Sequence, residues 1–338
     1  MERYLAMYKR TEVLGGIHKK THKFLNTDEE RNSYLNYRKI FEDASSFKKI
    51  QKFPIHLDIE LDNVCNYACT FCPIGQPDNE LNDYYRSIKK LDKEKVFQIL
   101  DEAKSIGVKS IQFNLVNEPL SHKNIFIILE YATKLKFDDL FFISNGYLLN
   151  EKNSINVLNS GLKKIMFSLD AFSAETYKER RLKNHKPANY EKVIKNVLNF
   201  LELKKKYKKK FPLVRVSFIV MESNKHEVEA FKNFWKEKVD AIHFQKLIDY
   251  TDSNIVSDSV IDNQCNMPMF RLSIKSDGNV KPCCVGYGEN INLGNIYNET
   301  LYSIWNFKFM KDFQKIHLEK KAYKNEVCKK CLKNSSNV

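Results

Sequence analysis

The sequence predicts an α/β fold, a partial (β/α)6 TIM-like barrel followed by a small C-terminal domain. Between residues 53 and 250, apolar runs typical of strands alternate six times with amphipathic stretches typical of helices. Repeated strand–helix units imply parallel strands with right-handed crossovers, and six units are too few to close an eight-stranded barrel. Beyond residue 250 the alternation ends, and five of the eight cysteines follow. The predicted domains are therefore a barrel at 53–250 and a cysteine-rich domain at 251–338.

The barrel elements follow one another at regular spacing. Strands are predicted at 55–61, 109–116, 139–144, 163–168, 213–220 and 240–246. Helices are predicted at 92–105, 123–136, 150–160, 190–208 and 226–237. Gly161 is the expected end of the 150–160 helix, because glycine readily adopts the left-handed conformation that closes helices. The polar, basic residues 1–52 are predicted to form a helical N-terminal extension that packs on the barrel or lies over a site.

Composition indicates a soluble globular protein. Apolar residues make up 43% and charged residues 29% of the 338-residue chain. Because no run of about 18 apolar residues and no signal-peptide core is present, a cytoplasmic protein without a membrane partner is expected. Cysteines in a reducing compartment are more often metal ligands or free thiols than disulfides. Much of the net charge of +14 lies at Lys204–Lys210, which is interpreted as a solvated helix end.

The first predicted strand leads into a cysteine loop with C-x3-C-x2-C spacing, formed by Cys65, Cys69 and Cys72. A short loop with this spacing can turn three thiolates toward one point. Three ligands are one fewer than a closed zinc site or a fully protein-ligated [4Fe–4S] cluster requires, so a cluster here keeps one iron open. The alternatives are a structural zinc site that takes its fourth ligand from elsewhere and three unrelated buried cysteines.

The cysteine loop, with Phe71 before its last cysteine, resembles the cluster loop of the radical S-adenosylmethionine (SAM) superfamily. The resemblance implies a [4Fe–4S] cluster whose open iron binds the amino and carboxylate groups of SAM. It implies reductive cleavage of SAM to a 5′-deoxyadenosyl radical, which removes a hydrogen atom from the substrate. It also implies a reductant such as flavodoxin or ferredoxin as a partner.

The same resemblance implies that SAM lies at the C-terminal ends of the strands, where active sites of such barrels are found. Glu118 and Pro119 match a family motif that contacts the SAM amino group. Val116 and Asn117 stand where this motif usually has glycines, and Asn117 is itself a candidate SAM contact. The carboxylate of Glu118 can still accept hydrogen bonds from an ammonium group.

Further candidate SAM contacts follow the next strands. Ser144 and Asn145 suit ribose hydroxyls, and Ser168 and Asp170 resemble a family signature near the SAM ribose and carboxylate. Arg181, slightly favoured over Arg180, is a candidate bidentate partner for that carboxylate. Candidates for contact with the adenine are Tyr67, Phe71 and Met221.

A second cysteine set consists of Cys265, Cys283, Cys328 and Cys331, the last two in C-x2-C spacing. Four ligands from separated segments can close a domain that has too little apolar core to hold itself. The set resembles the single-cluster form of the SPASM/twitch auxiliary domain, of the 2-deoxy-scyllo-inosamine dehydrogenase type. The resemblance implies a second, auxiliary [4Fe–4S] cluster. Zinc is the alternative, because thiolate-rich sites suit both metals.

Two other features lie in this region. Asp277-Gly278 between alternating runs predicts a β-hairpin, and residues 301–313 are predicted to form a helix. Cys284 is left over from the ligand set. It is interpreted as a small buried residue, as an alternative ligand to Cys283, or as a donor that returns a hydrogen atom to a substrate radical. The last role would make the protein an epimerase.

The resemblance to the single-cluster domain favours oxidation of an alcohol carbon, because a cluster near the substrate can accept the second electron. A sugar-like or nucleotide-sugar substrate is favoured over a peptide, since neither a peptide-recognition domain nor a second auxiliary cluster is evident. The basic charge suits a phosphate on that substrate. A radical epimerase and a peptide- or protein-modifying maturase are alternatives. A basic nucleic-acid-binding protein stabilised by zinc sites is a more distant alternative, because the sequence shows no known nucleic-acid-binding motif.

Overall fold

The computed structural model of the chain describes residues 11–75, 84–85, 87–183, 186–247, 265–284 and 291–336. The N-terminal elements are β1 (Thr11–Leu14), α1 (Ile17–Phe24) and α2 (Asp28–Ser45). Helix α2 begins with a capping box, in which Thr27 and Glu30 each accept a hydrogen bond from the other's backbone N–H. In the described part of the chain, no helix has both the length and the apolar character needed to cross a bilayer.

The barrel follows as an alternation of strands and helices. Its strands are β2 (His56–Ile59), β3 (Ser110–Gln112), β4 (Asp139–Ser144), β5 (Lys164–Ser168), β6 (Leu182–Lys183), β7 (Lys186–Pro187), β8 (Leu213–Val220) and β9 (Ala241–Lys246). Its helices are α3 (Lys93–Ile106), α4 (Ile125–Lys134), α5 (Glu151–Asn159), α6 (Ala174–Arg180), α7 (Tyr190–Lys206) and α8 (Val228–Trp235). Gly161, at φ +78, follows the end of α5 as predicted. Helix α6 and the short β6–β7 pair are absent from the sequence prediction.

The C-terminal elements are β10 (Arg271–Ile274), β11 (Asn279–Lys281), β12 (Gly294–Asn295), α9 (Leu301–Asn306), α10 (Lys308–Leu318) and α11 (Glu326–Ser336). The hairpin predicted at Asp277-Gly278 is confirmed, since β10 pairs antiparallel with β11 and Gly278 adopts φ +87. The helix predicted at 301–313 is two helices, because Phe307 has extended backbone angles that end α9 and begin α10.

Among the described residues, the main sheet has ten strands in the order β1-β9-β8-β5-β4-β3-β2-β10-β11-β12. Its central six strands, from β2 to β9, are parallel to their neighbours, which confirms the six predicted barrel strands. Parallel strands place their C-terminal ends at one edge of a sheet, so the loops that follow them are brought together. This edge positions the site.

One further strand pairs with each of the two outermost parallel strands. Strand β1 pairs antiparallel with β9, which corrects the prediction that the N-terminal extension is helical throughout. Strand β10 pairs in parallel with β2 on the other flank, so the C-terminal hairpin continues the barrel sheet. An edge strand offers unpaired backbone groups, and both additions use them. Barrel and hairpin residues accordingly share one apolar core, to which the hairpin contributes Leu272, Ile274 and Val280.

Candidate active site

The cysteine loop follows β2 and is held by backbone hydrogen bonds to the end of α6 and to β6. Ala68 N–H donates to Leu182 O at 2.8 Å, and Thr70 N–H donates to Arg180 O at 3.0 Å. Within the loop, Cys72 N–H donates to Cys69 O at 3.0 Å. The unpredicted α6 therefore serves as the support for the loop.

The three thiols of the loop lie in a setting that disfavours free thiolates. Burial, followed by the charge of Glu118, raises the pKa of Cys65. Burial, followed by the neighbouring Cys69, raises the pKa of Cys72 to about 12. Metal binding deprotonates cysteines and supplies the positive charge that close thiolates need.

A cavity of about 310 Å³ lies at the C-terminal ends of the strands and touches the cysteine loop. Residues at or after the C-terminal ends of all six parallel barrel strands contribute to its wall, as predicted for a site in this fold. Of the predicted site residues, the wall includes Cys65, Tyr67, Cys69, Phe71, Cys72, Asn117, Glu118, Ser144, Asn145, Ser168, Arg181, Cys283 and Cys284. The described wall does not include Asp170, Met221, Cys265, Cys328 or Cys331.

Arg181 lies at the centre of a buried polar network. Its Nη2 donates to Ser168 Oγ at 3.0 Å and to Asp170 Oδ2, and its Nη1 lies 3.8 Å from Cys69 Sγ. The other oxygen of Asp170 accepts a hydrogen bond from Ile219 N–H at 2.8 Å. Burial lowers the pKa of Arg181, but the charges of Cys69 and Asp170 outweigh it and hold the pKa well above its usual value. A permanent positive charge therefore lies beside the cysteine loop.

Met221 lies outside this network. Its backbone N–H donates to Asn224 Oδ1 at 2.7 Å, and the cavity wall at this strand is formed by Ile219 instead. The role of Met221 at the adenine stays a prediction.

Glu118 joins the loop after β3 to the end of β4. Its Oε2 accepts from Asn145 N–H at 2.7 Å, and its Oε1 accepts from Ser144 Oγ at 2.9 Å and from Leu120 N–H at 3.1 Å. Burial raises the pKa of Glu118 to about 7 despite these hydrogen bonds, which favour the charged form. The carboxylate thus fixes two strand ends while it lines the cavity.

The donor groups of the site fit SAM. Among the described residues of the cysteine loop and the cavity wall, three buried side-chain nitrogens have no acceptor: Asn66 Nδ2, Asn117 Nδ2 and Arg181 Nε. The carboxylate and ribose of SAM carry oxygen acceptors, and a buried donor without an acceptor is costly. Asn66 is not among the predicted residues, although its position directly after the first cysteine of the loop is a usable signal. Its Oδ1 accepts a hydrogen bond from Asn145 Nδ2 at 2.8 Å.

Three of the four auxiliary cysteines, Cys265, Cys328 and Cys331, lie in or beside α10 and α11. Burial, followed by the charges of Cys265 and Cys331, raises the pKa of Cys328, so these three thiols lie near one another. His317, which no sequence motif marks, donates through Nδ1 to Cys265 O at 2.8 Å and places Nε2 3.6 Å from Cys328 Sγ. Burial lowers the pKa of His317 to about 4.

Cys283 and Cys284 extend from β11 toward the cavity. Cys284 is exposed, which corrects its interpretation as a small buried residue, and its sulfur contacts Arg271 Nη1. Within the described residues, no three His, Cys, Asp or Glu side chains are positioned to bind one metal ion. A [4Fe–4S] cluster makes a different demand, because its cysteines bind separate irons.

Gly75 allows the cysteine loop to fold back on itself. A Cβ atom at this position would lie 2.2 Å from Cys69 O, and the obstacle is backbone that cannot rotate away. We expect Gly75→Ala to displace the loop and to reduce iron after anaerobic reconstitution by about four atoms per chain. Iron analysis checks this. Gly16→Ala is the control, since its Cβ would meet nothing nearer than 3.9 Å; equal iron in both variants would contradict the prediction.

Comparison with protein families identifies two regions of the chain. Residues 59–234, more than half of the chain, match the radical SAM superfamily. Residues 265–332 match the SPASM iron–sulfur cluster-binding domain. The two matches include all seven predicted cluster cysteines.

Curated relatives are similar to part of the chain. GTP 3′,8-cyclase of Clostridium perfringens is 26% identical over 125 residues, which is 37% of this chain and 37% of the relative. GTP 3′,8-cyclase of Desulforamulus reducens is 27% identical over 200 residues, which is 59% of this chain and 57% of the relative. The chain thus spans less than two thirds of either relative.

Solved structures share the fold. BtrN in complex with AdoMet and 2-DOIA has a TM-score of 0.54 at 17% identity, covering 82% of this chain and 92% of that one. SuiB of Streptococcus suis bound to S-adenosylmethionine has a TM-score of 0.58 at 17% identity, covering 92% and 78%. Native anSMEcpe with bound AdoMet has a TM-score of 0.59 at 19% identity, covering 78% and 84%. The cofactors that these two domains imply are SAM with its [4Fe–4S] cluster for the first and an auxiliary Fe–S cluster for the second. On these matches and the cysteine-lined cavity, the chain belongs to the radical SAM superfamily and carries a C-terminal SPASM domain.

Proposed function

We propose that this protein oxidises an alcohol carbon of a small, sugar-like substrate by radical chemistry. The observation that carries the proposal is the cavity, whose wall includes both the cysteine loop and Cys283 of the auxiliary set. When bound, the cofactors supply a 5′-deoxyadenosyl radical and an acceptor for one electron. A substrate in this cavity lies within reach of both.

The chain's own residues bind and orient the reactants. Arg181, held by Asp170 and Ser168, presents a fixed cation for the SAM carboxylate beside Cys69. Glu118 faces the cavity with a carboxylate for the SAM ammonium group. A buried cation and a buried anion at separate points of one wall specify the orientation of an amino acid group.

The oxidation balances in three parts. The carbon would lose one hydrogen atom, its hydroxyl would lose one proton to solvent, and one further electron would leave the substrate. SAM held at the cysteine loop would supply the acceptor of the hydrogen atom, and a cluster held by Cys283 and the other auxiliary cysteines would supply the acceptor of the electron. The product is a carbonyl, and 5′-deoxyadenosine forms in equal amount. The cysteine spacing of the SPASM region and the position of Cys283 in the cavity wall support oxidation over epimerisation, in which a hydrogen atom returns to the substrate carbon.

Peptide modification is the second candidate. Two of the similar folds were solved with peptides, SuiB with the precursor peptide SuiA and anSMEcpe with a Kp18Cys peptide. A third possibility, a nucleotide substrate, follows from the names of the GTP 3′,8-cyclase relatives. The assay below distinguishes a peptide and a nucleotide substrate from a sugar-like one.

The test is an anaerobic assay of the reconstituted protein with SAM and dithionite. We expect 5′-deoxyadenosine to form, and to form faster in the presence of sugar-like alcohols, together with an equal amount of carbonyl product. Stimulation by peptides or by GTP alone would replace the proposed substrate class. Absence of 5′-deoxyadenosine under all conditions would overturn the radical reaction itself.

The isotope content of the product separates oxidation from epimerisation. In D2O, we expect a carbonyl product without solvent deuterium at the reacting carbon, and the same product from Cys284→Ser. An epimerase would instead place one deuterium on that carbon, and loss of the thiol would remove it. Mass spectrometry of the product checks this. Deuterium that appears in the wild type and disappears in Cys284→Ser would assign Cys284 as the hydrogen donor.

A further inference from the structure

Two of the auxiliary cysteines lie near the surface of the protein. Cys328 and Cys331 are half-buried residues of α11. Asn325 fixes the start of this helix, because its Oδ1 accepts a hydrogen bond from Cys328 N–H at 3.1 Å and its carbonyl accepts one from Lys329 N–H at 2.8 Å. Lys329 and Lys330 stand between the two cysteines. A group held by these thiols therefore lies directly beneath two lysines.

This part of the surface is strongly basic. Residues 315–330 contain six lysines and two glutamates, a net charge of +4 within a chain whose total is +14. Glu319 forms ion pairs with two of the lysines and lies within electrostatic reach of Lys324. Lys324 and Lys330 are exposed and Lys329 is half-buried. One carboxylate shared by several lysines leaves an excess of positive charge that faces solvent.

An exposed aromatic ring lies among these charges. Tyr323 is 39% exposed and belongs to the single turn Ala322–Lys324, which packs against both α10 and α11. We call Tyr323, Lys324, Lys329 and Lys330 the α11 surface. An aromatic ring offers a rigid contact area, and the surrounding cations select a partner of opposite charge.

A second basic stretch, Lys204–Lys210, differs from the α11 surface in its position. It begins in the last turn of α7, and Lys204 Nζ lies 3.8 Å from Oδ2 of Asp240, the residue before β9. Strand β9 lies toward the opposite end of the sheet from β10. The stretch contains charge but no cysteine. It therefore provides a control for effects of positive charge alone.

We propose that the α11 surface docks an acidic one-electron carrier protein. The inference rests on the proposed function, since oxidation of an alcohol at the auxiliary site leaves one electron that must pass to an acceptor outside the chain. The carrier gains this electron, and no bond forms or breaks in the transfer. Electron-transfer partners meet over small interfaces that are steered by charge. Because electron transfer slows steeply with distance, a surface that includes the cysteine segment itself is favoured.

The experiment measures docking without turnover. Fluorescently labelled flavodoxin, an acidic one-electron carrier, is titrated with the anaerobically reconstituted protein in the absence of SAM and reductant. We expect saturable binding at low ionic strength that weakens as salt is added. Lys324→Glu/Lys330→Glu should weaken it at least about tenfold, which corresponds to about 1.4 kcal/mol. The control Lys205→Glu/Lys206→Glu reverses two exposed charges of α7 and should stay within about twofold of the wild type.

Cross-linking locates the docked carrier without any substitution. A carbodiimide joins lysines of the wild type to carboxylates of flavodoxin, and mass spectrometry should find the links at Lys324, Lys329 and Lys330. Links confined to other lysines, equal weakening in both double variants, or no binding by the wild type would overturn the proposal. Duplex DNA that competes with flavodoxin at these lysines and binds more tightly would assign the surface to nucleic acid instead. Because neither SAM cleavage nor a substrate is needed, failure of the proposed oxidation leaves the docking result readable.

Discussion

Replacing Cys65 with alanine is expected to remove the SAM-binding cluster and to reduce formation of 5′-deoxyadenosine to background. Cys65 is the first ligand of the cysteine loop and lines the cavity where SAM is proposed to bind. Two thiolates cannot hold a cluster that the family holds with three. Iron should fall from about eight to about four atoms per chain, because the auxiliary cluster has its own ligands. Iron analysis and the visible spectrum measure the loss of the cluster, and chromatography of the assay mixture measures the 5′-deoxyadenosine formed.

Two cysteine variants control this experiment. Cys284→Ala should retain about eight irons, since the ligand set needs only Cys283 from that pair. Cys328→Ala should lose about four irons and keep the SAM-binding cluster. If Cys65→Ala kept all its iron, or lost both clusters together, the assignment of two independent sites would be wrong.

Arg181→Met is expected to cost about 3–5 kcal/mol of unfolding free energy, the range measured when one partner of a buried ion pair is removed. Arg181 is 4% exposed and Asp170 is 1% exposed, so the carboxylate would stay buried without its cation. Urea unfolding of the metal-free chain, followed by circular dichroism, gives the free energy. The affinity for SAM should fall as well.

The double variant Arg181→Met/Asp170→Asn tests the cause. Asp170 adopts φ +59, a conformation that asparagine tolerates, so the substitution removes the charge and keeps the backbone. We expect it to restore more than half of the lost stability. Lys134→Met breaks an exposed pair with Glu130 and should cost no more than about 1 kcal/mol. A similar loss of unfolding free energy in Arg181→Met and Lys134→Met would show that burial of the ion pair does not determine its contribution to stability.

The site was predictable where local spacing carries the information. Cys65, Cys69 and Cys72 stand within one loop, and polar residues such as Glu118 directly follow strands, so fold class alone places them at one edge. Sequence spacing does not report long-range partners. Asp170 does not line the described cavity but contacts Arg181, which does. His317 contacts both Cys265 and Cys328, from which it is separated by 52 and 11 residues.

By itself the sequence determined the six parallel strands and the hairpin turn at Asp277-Gly278, and its spacing predicts the two cysteine ligand sets. Each of these depends on periodicity, spacing or turn chemistry within a short window. Only the tertiary structure decided that β1 and β10 extend opposite flanks of the sheet. Short edge strands have too few residues to show alternation, and their pairing depends on backbone groups that distant segments leave unpaired. The same pairing with β2 brings Lys275, Lys281 and Cys283 to the cysteine loop, because it makes the C-terminal hairpin a wall of the cavity.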